Sequence, residues 1–277
     1  MKIYLVNYAT KGYKVKQRLN TVSGKIFGKF DKIFSFDPKD IDKDFALSNR
    51  NILKIEKGAG LWLWKPYFFN IVFNEKLEYG DYLFHCDSSS FFIRNVRPLI
   101  ELLEQSNLDI MAFALPLTEK EWTSPKLLSY FNANEEILNS NQILANFLIV
   151  KKSKETQSFV KEWLELCSNI QLLNDNGIID DKYPSYFKEH RYDQSILSLL
   201  CKKYSVEPFR DPSQFGIFPE MYRNNGAIIE TKVLNSPYKT TIILIRKSNF
   251  FVEFFKYNAK VTLKMFFPNL YLKLLKK

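Results

Sequence analysis

Cysteine is scarce in this 277-residue chain, and Cys86, Cys167 and Cys201 stand in no metal-type spacing. Their odd number argues against a disulfide framework and fits a reducing compartment. No uncharged run of eighteen apolar residues occurs, so no segment is expected to span a bilayer. The opening MKIYLVNYATKGYKV lacks the long apolar stretch and small-residue cleavage site of a signal peptide. A cytoplasmic location is therefore expected. Internal repeats, low-complexity tracts and long Pro/Gly/Ser linkers are also missing, as is any recognisable nucleic-acid motif, which sets nucleic acid aside as a partner.

Aliphatic and aromatic residues supply 46% of the chain and aromatics alone 16%, enough for a sizeable core and an aromatic-lined cleft. Short apolar runs at 2–8 (KIYLVNY), 32–37 (KIFSFD), 81–87 (DYLFHCD), 109–115 (DIMAFAL) and 143–150 (ILANFLIV) read as buried strands. Helical patterns at 95–105 and 153–173 alternate with them. In the second, Phe159, Trp163, Leu166, Cys167 and Ile170 share one face. Such alternation predicts an α/β fold, a Rossmann-type sandwich whose mostly parallel central sheet is flanked by helices. Loops gather at 174–188 and 211–226, which places a boundary near Arg210 between a nucleotide-binding core and a mixed C-terminal section.

The net charge of +10 is uneven. The tail 250–277, FFVEFFKYNAKVTLKMFFPNLYLKLLKK, holds six Lys against one Glu together with eight aromatics. That composition suits an amphipathic surface on anionic lipid; the plainer alternative is a pair of docked helices divided at Pro268.

Three stretches carry candidate chemistry. In GAGLWLWKPYFF (58–69), Gly58 and Gly60 permit a tight turn, Pro66 suits a first helical turn, and Lys65 falls at the helix start. A cation there opposes the helix dipole, so a bound anion such as a diphosphate would explain it. The alternative is a Lys65 that reaches water beside core aromatics. The stretch is no P-loop, because it lacks the spacer and the Lys-Ser/Thr ending. In YGDYLFHCDSSSFF (79–92), Asp87 and the serines sit at a strand's carboxyl end, where open α/β sheets bind ligands. His85 shares a strand face with Asp87. In EHRYDQSILSLLCKKY (189–204), Asp193 stands where an N-cap would, with His190, Arg191 and Gln194 around the same helix start. Asn146, inside an apolar strand, needs a partner if buried.

These stretches, with the ILANFLIV strand between the last two, resemble in order and spacing bacterial GT-A-type glycosyltransferases that build capsular polysaccharide or lipopolysaccharide, over roughly residues 2–208. The resemblance implies a transferase using a nucleotide-sugar donor, a UDP-sugar above all, and a glycan or lipid-linked acceptor. It divides the chain into a transferase unit at 1–249, with a donor half near 1–150 and an acceptor half near 151–249, and a basic tail at 250–277. Tyr8, Thr10, Lys65, Asp87, Ser88 and Arg191 become donor-binding candidates. Trp64, Asn146, His190 and Gln194 become acceptor-side candidates. Asp87 takes the place of the metal-binding carboxylate in the family's Asp-x-Asp element, with His190 as a further ligand for manganese or magnesium; His85-Cys86-Asp87 departs from the two-Asp form. Lys65, Asp87 and Asp193 are the catalytic candidates. If the reaction inverts the anomeric centre, Asp193 or, in the loop IIDDKY, Asp181 is the candidate base; a retaining reaction needs none. The tail would hold the enzyme at the inner membrane surface. A non-catalytic carbohydrate-binding or peripheral scaffold protein is the alternative.

Overall fold

The computed structural model describes residues 1–175, 183–225, 228–245 and 249–275. The strands are β1 (Ile3–Tyr8), β2 (Lys32–Phe36), β3 (Tyr82–Cys86), β4 (Ser90–Phe92), β5 (Ile110–Thr118), β6 (Asn141–Lys151), β7 (Phe209–Arg210) and β8 (Ile242–Leu244). The longer helices are α1 (Lys14–Ser23), α2 (Trp64–Glu75), α3 (Arg97–Gln105), α4 (Lys154–Ser168), α5 (Asp193–Lys203), α6 (Phe250–Phe266) and α7 (Pro268–Leu275). Six strands form one sheet in the order β2-β1-β3-β6-β5-β7, and β4 pairs with β8 in a separate ribbon.

The five expected strands are all present, and the sheet is mostly parallel with helices on both faces. One strand departs from the pattern: β6 runs antiparallel to both β3 and β5, while the other five point the same way. Alternation along the strands sorts side chains into two cores. Tyr4, Val6, Leu83, Ala145 and Leu148 meet α2, α4 and α5, whereas Leu5, Phe84, Phe147 and Ile149 meet α3 and the segments after β7. Strands buried on both faces are apolar at most positions, which is why they read so clearly in the sequence.

Two boundaries differ from expectation. The helix expected over 153–173 stops at Ser168, because Asn169 turns extended and its side chain caps a separate turn, Ile170–Leu173. Arg210 lies in β7, hydrogen-bonded to β5 inside the main sheet, so the chain does not divide there. After it, the segment expected as loop holds helical turns at Gln214–Ile217 and Pro219–Asn225.

Candidate functional site

The carboxyl ends of the parallel pair β1 and β3 deliver Tyr8 and the Asp87-Ser88 step side by side, and the Ser88 hydroxyl donates to the Tyr8 carbonyl. His85 and Asp87 share a face, with His85 Nε2 at 3.2 Å from Asp87 Oδ1. Because β6 is antiparallel to β3, Asn146 arrives opposite this end. Its Nδ2 donates to Asp87 Oδ2 at 2.8 Å, and its carbonyl accepts from the Asp87 N–H at 3.0 Å. The polar residue embedded in an apolar strand is therefore the group that orients Asp87.

The Gly-Ala-Gly stretch makes a left-handed turn. Every residue from Gly58 to Trp62 has positive φ, including the non-glycines Ala59, Leu61 and Trp62. Left-handed conformations strain L-residues and gather at functional sites. The turn leads into α2, where Trp64 stacks on Tyr8 at 4.3 Å between ring centroids and donates its indole N–H to the Gly58 carbonyl.

Lys65 falls at the helix start as expected, but its partners lie within the protein. The side chain is 3% exposed; its ammonium lies 2.8 Å from Asp193 Oδ2 and 3.6 Å from Asp87 Oδ1 and donates to the Ala145 carbonyl at 3.0 Å. The unfavourable dipole position is offset by two carboxylates from distant elements. Asp193 itself is the first residue of α5 and not its cap; the cap is Tyr192, at φ 50° and ψ −123°, with no side-chain capping bond. Instead of capping, the Asp193 carboxylate turns to Lys65.

Lys65, His85 and the two carboxylates shift one another's protonation. Burial pushes the Asp193 carboxyl up to about 6, against the pull of Lys65. Burial also works to raise Asp87, but Lys65 and His85 outweigh it and hold that carboxyl below its usual range. Burial lowers His85, so its ring is neutral near pH 7. Burial opposes the charge on Lys65, and Asp193 and Asp87 overcome it to raise its pKa.

Two cavities meet here. One, about 510 Å³, is bounded by Tyr8, Thr10, Tyr13, Trp64, Ser88 and the Gly58 turn. The other, about 340 Å³, is bounded by Lys65, Asn146, Arg191, Asp193, Gln194 and Tyr222. Asp87 and Trp62 line both. The structure thus gathers the candidates from all three stretches, with two exceptions. Trp64 lies in the cavity of the donor-side candidates and not with Asn146 and Gln194. His190 lines neither: between Glu189 and Arg191, which face the second cavity, it points the opposite way, 1% exposed, its Nδ1 accepting from the Ser124 N–H at 3.3 Å. Asp181 lies outside the described residues.

Sequence reasoning missed Lys57, Glu189 and Tyr192, which close the second cavity. Lys57 pairs with Glu189 at 3.1 Å and lies over the Tyr192 ring at 4.6 Å. Trp62, expected among the core aromatics, lines the cleft because the left-handed turn rotates it there; the flanking glycines were the signal. Gln194 is tied to β6, donating to Gln142 Oε1 at 2.8 Å, and the Arg191 guanidinium stacks on Trp122 at 3.9 Å.

Among the described residues the groups around Asp87 do not make a donor set that fits a divalent cation. Among the described residues Asp87 is the carboxylate that follows β3, Asn146 and His85 bond its oxygens, and the Lys65 ammonium lies between it and Asp193. Among the described residues no three His, Cys, Asp or Glu converge on a common point. His190, expected as a second ligand, faces away for the strand-like alternation just given.

No family model and no curated protein matches the chain. Among solved structures it is similar to apo mouse xyloside xylosyltransferase 1, with TM-score 0.50 and 10% identity over 88% of this chain and 97% of that one. The fold is of the GT-A glycosyltransferase type. Also similar are apo glycosyltransferase GlyE of Streptococcus pneumoniae TIGR4 (TM-score 0.46, 13% identity, 98% of this chain and 64% of that one) and the galactosyltransferase LgtC with donor and acceptor sugar analogs (TM-score 0.45, 11% identity, 87% and 86%).

Proposed function

We propose that this chain is a glycosyltransferase that takes a nucleotide-sugar donor, a UDP-sugar first among those to test, and transfers its sugar to a glycan or lipid-linked glycan of a bacterial surface polysaccharide. The observation that carries the reading is the pair of cavities joined at Asp87 and Trp62, at the carboxyl end of the parallel strands of a GT-A-type sheet. A nucleotide fits the aromatic cavity, against the Tyr8–Trp64 stack and near Thr10 and Ser88. The sugar and the acceptor then occupy the polar cavity lined by Asn146, Gln194 and Asp193.

Separating a nucleoside diphosphate from the anomeric carbon builds negative charge on the diphosphate, so cations fixed beside the joint act more on the transition state than on the ground state. Lys57, Lys65 and Arg191 line that region. Lys65 offsets part of the charge of Asp87 and Asp193, and with Lys57 and Arg191 it lets an anion approach two carboxylates. Asp193, with its carboxyl pushed up to about 6, has the proton affinity of a general base near neutral pH, and we assign it the acceptor hydroxyl. Residues 1–249 form the transferase unit in this reading, and the tail 250–277 meets the membrane at its cytoplasmic face. Among the described residues no helix is long and apolar enough to cross a bilayer.

Thermal melting of the purified protein with UDP-, GDP-, CMP- and dTDP-sugars, each with manganese or with EDTA, tests the proposal. One nucleotide is expected to raise Tm by mass action, equally in both conditions because Lys65 takes the metal's place. No shift with any donor would overturn the transferase reading, and a shift that needs manganese would overturn the role given to Lys65.

A further inference from the structure

Helix α1 is built inside out. Its buried face is polar: Gln17 donates to Asn7 Oδ1 at 3.0 Å and to the Phe36 carbonyl at 2.8 Å, and Asn20 accepts from Asn7 Nδ2 at 2.7 Å and donates to the Ser90 carbonyl at 3.0 Å. Its outward face is apolar. Val15, Leu19, Val22 and, one turn beyond in the Gly24–Gly28 segment, Ile26 are all exposed, Val15 at 71% and Val22 at 54%. At roughly 100° per residue the three positions within α1 fall within about 60° of one another. An apolar stripe turned to solvent while amides are buried beneath it gives no folding stability and marks a contact surface.

The segment that carries the stripe is also basic. Residues 10–30 hold Lys11, Lys14, Lys16, Arg18, Lys25 and Lys29 and no acidic residue; of these Lys14 pairs with Asp37 at 2.9 Å and Lys16 donates to the Ile245 carbonyl at 3.0 Å. The tail is the chain's other basic, aromatic segment, and the fold joins the two. Phe27 lies 6.1 Å from Phe91, which stacks on Phe250 of α6 at 3.7 Å, and Phe250 neighbours Phe254 at 5.4 Å. Beyond this ridge Phe251 and Phe255 are 79% and 74% exposed.

We propose that α1, the Gly24–Gly28 turn and α6 form one composite face that lies on an anionic lipid bilayer, the apolar side chains entering the headgroup boundary and the cations meeting lipid phosphates. Charge decides the occupant. A second copy would bring two like-charged faces together, whereas anionic lipid complements them. The face extends the tail contact proposed above, and its bearing on catalysis rests on the transferase reading: Tyr13, two residues before the stripe begins, lines the aromatic cavity, so the donor site opens beside the bilayer where a lipid-linked acceptor resides.

The test is co-sedimentation of the full chain, without donor or acceptor, with vesicles of phosphatidylcholine containing phosphatidylglycerol and with pure phosphatidylcholine. The parent is expected on the anionic vesicles. Val15→Asp/Val22→Asp, with the tail untouched, is expected to lose about tenfold or more of the partition, and Lys25→Glu/Lys29→Glu to act in the same direction. Unchanged binding by both double variants at unchanged Tm would overturn the composite face and leave the tail alone as the anchor. A lipid-free dimer in sedimentation velocity that Val15→Asp/Val22→Asp dissociates would assign the face to a second copy and overturn the proposal as well. If the aspartates lower Tm, the lysine pair, on an exposed turn, decides between these outcomes. Donor melting shifts on the same preparations report the transferase reading separately.

Discussion

Lys65 illustrates how a residue's role changes once its neighbours are known. Its cation, conspicuous in an apolar run, is buried between Asp193 and Asp87 and pairs with both. Lys65→Met is expected to leave the buried Asp193 carboxylate without its cation and Asp87 with only Asn146 and His85, and to cost about 3–5 kcal/mol, read as a fall in Tm or in the urea midpoint. The variant also separates two pH effects. Asp193 has its folded pKa raised to about 6 from 3.8, so the native state holds that proton after the unfolded state has lost it. Its contribution to stability therefore declines as pH rises from about 4 to 6 and is level above. Asp87, with a lowered pKa, works in the opposite sense: its contribution is present above the ordinary carboxyl pKa and is lost as pH falls through its folded value. Turnover is expected to rise with pH through an acidic limb near 6, and Lys65→Met moves that limb upward because it removes the charge that favours ionised Asp193. A pH–rate profile without a limb in that region would remove Asp193 as base.

At the scale of elements, the cleft is shaped by backbone that the chain would not adopt alone. Gly58–Trp62 winds left-handed, and Tyr192 enters α5 in an unfavourable region; the rings of Trp62 and Tyr192 meet at 5.6 Å across the second cavity. Strain on both sides of one opening is held by the packing around it. A Cβ at Gly58 would stand 2.4 Å from the Trp62 ring, in a conformation at φ +63° that already disfavours a side chain. Gly58→Ala is therefore expected to cost at least about 1 kcal/mol in urea unfolding and, by displacing Trp62 from the wall common to both cavities, to weaken donor binding by titration. A variant that unfolds and binds like the parent would show that the turn's left-handed geometry is dispensable. Helix α5 has its own anchor: Glu119, fully buried, accepts from Ser198 and pairs with Lys202, fixing the helix that carries Asp193 and Gln194.

Across the whole molecule, the tail is at once docked and exposed. Tyr257 and Tyr271 cover Phe218 and Ile243, and Lys260 and Lys264 lie over the Phe218 ring, so docking and outward display each describe part of it. A chain ending at Asn249 is expected to melt lower, because that cluster is uncovered, and to lose vesicle binding while its donor titration is retained. Loss of donor binding as well would make the tail part of the catalytic unit. The charge map shows the limit of reading segments one at a time. The tail's excess is evident in its composition, but the six cations at 10–30 acquire their meaning only in the fold, which brings Phe27 and Phe250 to opposite sides of Phe91.

By itself the sequence determined the five strands, the α/β layering and the three stretches that build the cleft. Buried strands are largely apolar, so the polar residues within or just beyond them, Asn146 and Asp87 among them, stand out against that background. Which polar groups meet was decided by tertiary structure alone. The reversed β6 brings Asn146 to Asp87, α5 carries Asp193 to Lys65, and alternation across Glu189, His190 and Arg191 turns His190 into the core and away from any ion at Asp87. Pairings over such separations depend on strand direction and on packing between elements distant in the chain, and neither is written in local spacing.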